Sequence, residues 1–91
     1  MISDDSINRA LAIDGWDLSA DQGRLMLFEL LCKAGAGYYN SHTEEGFLRY
    51  FIILKKDRSP NKRGRVFMCD MAYKHSNKKP VIYDLIEKYR N

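Results

Sequence analysis

Cysteine, proline and long apolar runs are all scarce in this 91-residue chain. Its two cysteines, Cys32 and Cys69, lie in apolar stretches and form no Cys-x-x-Cys pair. That spacing argues against a structural zinc site, and for buried thiols in a reducing cytoplasm rather than a disulfide. The longest apolar stretches, residues 25–32 and 47–54, are broken by Glu29 and Arg49. Neither approaches the roughly 20 residues that cross a bilayer, so no membrane partner is expected. The opening Ser3, Asp4 and Asp5 lack the basic-then-apolar order of a secretory leader. There is no glycine-rich phosphate loop either. Gly35, Ala36 and Gly37 follow a helical stretch, whereas such a loop needs a strand before it. With no Cys/His cluster and no spaced acid–base pair, the expectation is a non-enzyme with no cofactor, no metal and no catalytic residue.

What is present is a globular composition, 45% apolar and 12% aromatic, too hydrophobic for a disordered chain. The length suits a single domain spanning 1–91. Charge is divided along it. Residues 1–45 carry three basic side chains against eight acids, a net of −5, and residues 46–91 carry twelve against four, a net of +8. The overall +3 hides that division. A basic half reads as a polyanion-binding face, an acidic half as a solvating or partner-facing one.

Helical spacing dominates the pattern. Ser3 caps a first helix bearing Ile7, Ala10 and Leu11, which Gly15 stops. Ser19 and Gln22 form a capping box for a second, central helix with Leu27, Phe28, Leu31 and Ala34 on its apolar stripe. Gly35 is positioned to end it in the left-handed conformation. Ser41 and Glu44 form another capping box. The third helix is expected to run on to Lys55 and Lys56, with Phe47, Tyr50, Phe51 and Leu54 on one face. Residues 66–75 fit a helix or a strand equally well. Pro80 then starts a last helix bearing Val81, Ile82, Leu85, Ile86 and Tyr89. The fold expected is mainly α, a compact bundle of four or five short helices. The alternative is an α+β, winged-helix-like arrangement with a basic hairpin at 47–75.

The densest chemical signal is the run Lys55, Lys56, Arg58, Lys62, Arg63 and Arg65, extended by Lys74, Lys78 and Lys79. Ser59, Asn61, Gly64, Ser76 and Asn77 place small hydrogen-bonding groups between these cations, as phosphate contacts require. Tyr38 and Tyr39 sit in a loop that no packing period explains, and aromatics beside cations suit stacking on single-stranded bases. The plainer reading is that the charge run is a solvated face balancing the acidic half, and that one tyrosine packs under its turn.

Residues 38–45 (YYNSHTEE), 60–65 (PNKRGR) and 73–80 (YKHSNKKP) give the chain the style of a particular class. With its small size, it resembles the small accessory proteins of large tailed phages. The resemblance implies a compact cytoplasmic protein that modulates a host enzyme or nucleic acid, and it carries over no site residue. The function expected is nucleic-acid binding, to RNA or DNA. The rival is an inhibitor or adaptor that grips an acidic host protein or imitates nucleic acid through its own acids. Homo-oligomerisation, acidic half against basic half, is the third.

Overall fold

Serine starts three of the four helices that a computed structural model describes within residues 2–74. Helix α1 is Asp4–Ile13, α2 Ala20–Gly35, α3 His42–Tyr50 and α4 Lys62–Lys74. Ser3 Oγ accepts from the Ser6 amide, and Asp4 and Asp5 lie in the positive first turn. Both expected capping boxes form. The Gln22 amide donates to Ser19 Oγ and Gln22 Oε1 accepts from the Ser19 amide. Glu44 and Ser41 exchange the same pair of bonds.

The first two helices end alike. The Trp16 amide reaches back to the Leu11 carbonyl and the Gly15 amide to Ala12, with Gly15 at φ +70°. Tyr38 and Gly37 repeat this on Lys33 and Ala34, with Gly37 at φ +86°. These are left-handed caps that satisfy the last carbonyls. The second corrects the sequence reading: Gly35 stays helical, and Gly37 makes the turn.

The third helix also departs from expectation. It stops at Tyr50 and never reaches Lys55 and Lys56. The left-handed position after its cap is occupied by Ile52, at φ 56°, whose amide donates to the Arg49 carbonyl. A β-branched side chain there crowds the following carbonyl. The turn is held from the other side by Asn61, whose Nδ2 donates to the Ile52 carbonyl and whose amide donates to that of Ile53. The reversal swings Ile53 into the core at 0% exposure and leaves Ile52 in solvent. Ile52→Gly is therefore expected to raise stability by about 0.5–1 kcal/mol, the relieved strain exceeding the added chain entropy. Denaturant unfolding checks it, with a higher midpoint at unchanged slope.

Residues 62–74 are helical, so the hairpin alternative at 47–75 is set aside; the described residues contain no strand. A single antiparallel bridge, Leu54 with Pro60, is all that pairs there. Asn61 decides the matter, because its Oδ1 accepts from the Gly64 amide and caps α4. The last helix expected, from Pro80, lies outside the described residues.

Helix α2 is the centre of this small bundle, packing against α1, α3 and α4. Its Leu27, Phe28 and Leu31 meet Ile7 and Leu11 of α1, Phe47 and Leu48 of α3, and Phe67 and Met71 of α4 in one core. Phe47 and Phe51 cross edge to face at 5.4 Å between centroids. Tyr50, expected on that face, is exposed, and Leu48 is buried in its place. No described helix is long and apolar enough to cross a membrane.

The α2–α3 junction carries a pH dependence. The Ser41 amide, first, and then Lys33, hold the Glu44 carboxyl below its ordinary 4.5. A carboxyl lowered in the folded state stabilises above its unfolded titration and ceases to as pH falls through its folded one. The stability advantage of the wild type over Glu44→Gln is thus expected to be complete above pH 4.5 and to vanish in more acid solution. Parallel thermal melts across that range measure it.

Candidate nucleic-acid interface

The chain between α3 and α4 is a tight, hydrogen-bonded turn. The Lys55 amide donates to the Ser59 carbonyl at 2.7 Å and the Arg58 amide to Lys55 at 3.0 Å. Asp57, though exposed, folds back on the turn, accepting from the Ser59 hydroxyl at 2.6 Å and the Ser59 amide at 3.0 Å. Those bonds, the hydroxyl's foremost, lower its carboxyl pKa. The acid in the basic run shapes the turn and feels the charge of Lys55 without an ion-pair contact, and its neighbours Lys55 and Lys56 are exposed.

Lys62 and Arg63 follow in the first turn of α4, both exposed. Two positive side chains at the positive end of a helix oppose its dipole, an arrangement that costs stability unless an anion is near. Lys55, Lys56, Lys62 and Arg63 have no ion-pair partner among the described residues. Arg65 donates from Nη1 to the Pro60 carbonyl, also without an acid.

The remaining cations are partly committed. Arg58, at φ 71°, places Nε 3.1 Å from Glu45 Oε1. Its guanidinium carbon stands 5.6 Å from the centre of the Tyr39 ring. Glu45 takes Arg49 on its other oxygen at 3.5 Å. Lys74 pairs with Asp70 at 3.3 Å. It lies twelve residues along α4 from Lys62, about 18 Å away, and does not adjoin the other cluster. Lys78 and Lys79 lie outside the described residues.

The structure thus joins two segments that the sequence leaves separate, the Tyr39 loop and the basic turn, with Glu45 between them. Tyr39 is 79% exposed, whereas Tyr38 is half-buried. Sequence reasoning overlooked Glu45 as the partner of Arg58. Its spacing from Arg49 marks it as an ion-pairing residue, but nothing local signals a partner across a turn.

Among the described residues, none of the early aspartates forms an ion pair with these cations. Asp4 pairs instead with Arg24, which also donates to the Ile2 carbonyl at 2.9 Å. Beside Ile2, a groove of about 420 Å³ is lined by Lys62, Arg63, Val66 and Phe67. No three His, Cys, Asp or Glu side chains gather as metal ligands among the described residues. Burial, with Glu29 adding, pushes the Cys32 thiol up to about 11, far from a reactive thiolate at neutral pH. Comparison with known proteins finds no matching family model, no curated relative and no similar solved structure.

Proposed function

We propose that this protein is a non-catalytic accessory factor that binds RNA or DNA through the turn at 55–60 and the first turn of α4. One observation carries the reading: Lys55, Lys56, Lys62 and Arg63 are exposed, and no described acid pairs with them. Unpaired cations on a short stretch of surface attract a polyanion chiefly by releasing its condensed counterions. Arg65 adds to the same track, and Arg58, held by Glu45, stands beside Tyr39 at its edge. Lys74, about 18 Å along α4 from Lys62, is proposed as a second contact for a longer strand, with Lys78 and Lys79 next in sequence. The resemblance to tailed-phage accessory proteins fits such a role in a host cytoplasm.

The test is fluorescence anisotropy with a labelled oligonucleotide at low salt. Binding with a Kd in the micromolar range or below is expected, and failure to bind there removes the reading.

A second reading, an adaptor acting through its acids, draws on a separate observation. Asp5, Asp14, Asp17 and Asp21 are exposed and equally without ion partners among the described residues. Reversing Asp5, Asp17 and Asp21 to lysine distinguishes the two. Oligonucleotide affinity is held or raised if the protein binds nucleic acid. Activity in the cell is lost if the acids themselves are the contact.

A further inference from the structure

We infer that the nucleic acid is taken as a single strand, one of whose bases stacks on the open face of Tyr39; the inference rests on the nucleic-acid reading above. A tyrosine ring at 79% exposure forgoes the burial that rings of this size normally gain. Tyr39 is nevertheless not a loose side chain. Arg58 lies over one face of it, 5.6 Å from the centroid, and Glu45 fixes Arg58 by its Nε. The Arg58 backbone is itself held, its amide bonded to the Lys55 carbonyl inside the turn. A cation thus stands over the ring, and the residue's 79% exposure leaves room for a second planar group.

That arrangement selects among nucleic acids. A base inside a duplex is already stacked on both faces and cannot reach a ring at the protein surface. An unpaired base can, and every base has a face suited to the contact, so the recognition needs no sequence. Lys55 and Lys56 belong to the turn that carries Arg58, so phosphates flanking the stacked base meet cations at once. Phosphate contacts alone would serve duplex and single strand alike. It is Tyr39 that separates them.

The experiment compares an oligouridine of about 12 nucleotides with a duplex of the same length, by anisotropy, for the wild type, Tyr39→Phe and Tyr39→Ala. The single strand is expected to bind more tightly. Tyr39→Ala should lower its affinity about 5- to 150-fold and leave the duplex unaffected, with Tyr39→Phe close to wild type. In NMR spectra the Tyr39 ring protons should move upfield as the strand is added. Tyr39 is exposed, so the alanine variant keeps its helical circular dichroism. Wild-type affinity in Tyr39→Ala, or equal preference for the duplex, overturns the stacking inference and leaves the nucleic-acid reading standing. Absence of binding to either probe at low salt overturns both.

Discussion

Alanine at position 64 is expected to lower stability by about 3 kcal/mol, a melting-point drop of about 12–24 °C in a domain of this size. Gly64 is buried in the first turns of α4, and a Cβ there would stand 2.6 Å from the Ile53 carbonyl oxygen and 3.3 Å from Pro60 Cβ. The obstacle is backbone, and backbone already committed. The Ile53 carbonyl accepts from the Asn61 amide at 2.9 Å, and Asn61 in turn caps α4 through its side chain. Moving α4 outward to admit the methyl breaks that cap and uncovers Phe67 and Ile53. At position 23 the added Cβ instead meets Ile7 Cγ2 and Leu11 Cδ1, both at 2.8 Å. Leu11 Cδ1 is a side-chain end that can turn, Ile7 Cγ2 is held on its β-branched carbon, and alanine gains helix propensity inside α2, so Gly23→Ala should cost less, about 1–2 kcal/mol. Gly46, inside α3, has nothing within 4 Å, and alanine there should stabilise by about 0.5–1 kcal/mol through helix propensity alone. Denaturant midpoints of the three variants should rank in that order, with Gly64→Ala lowest. If Gly64→Ala melts like the wild type, α4 does not pack on the Ile53 turn as described.

Replacing Lys55, Lys56, Lys62 and Arg63 together by glutamine is expected to weaken oligonucleotide binding about 100- to 1,000-fold near 0.1 M salt. The magnitude follows from four lost phosphate contacts on a single strand. The fold should be untouched, since all four side chains are exposed. It should even gain slightly at the start of α4, where Lys62 and Arg63 oppose the helix dipole. Lys74→Gln is the informative control. This cation already has an acid, Asp70, so its loss should cost less than that of any one of the four. An equal loss at Lys74 would mean that its ion pair opens on binding, and that pairing does not grade the site.

The parts of the fold legible in the sequence are those set by neighbours in the chain. Ser19 with Gln22 and Ser41 with Glu44 are capping boxes wherever the helices pack, and the spacing of Ile7, Ala10 and Leu11 fixes a buried face without reference to what covers it. The end of α3 was not legible, for a tertiary reason. Tyr50, Phe51, Ile52 and Ile53 contain no glycine to announce a left-handed turn, and the turn forms because Asn61, nine residues beyond Ile52, binds its carbonyl. Asn61 also settles residues 62–74 as helix, although Arg63, Gly64 and Arg65 are poor helix-start residues. The basic run was legible as charge but not as a surface. Sequence could not tell that Asp57 folds back on Ser59, that Arg58 crosses to Glu45 and Tyr39, or that no described acid pairs with Lys62 and Arg63.

The most direct measurement of the central claim is the salt dependence of binding to a single-stranded oligonucleotide. Four exposed cations each meeting a phosphate predict that log Kobs falls against log salt with a slope at least as steep as about −3 for the wild type, and shallower by about 3 once Lys55, Lys56, Lys62 and Arg63 are glutamine. A wild-type slope near zero, or the same steep slope in the quadruple variant, would contradict the claim that these four side chains form the polyanion-binding surface.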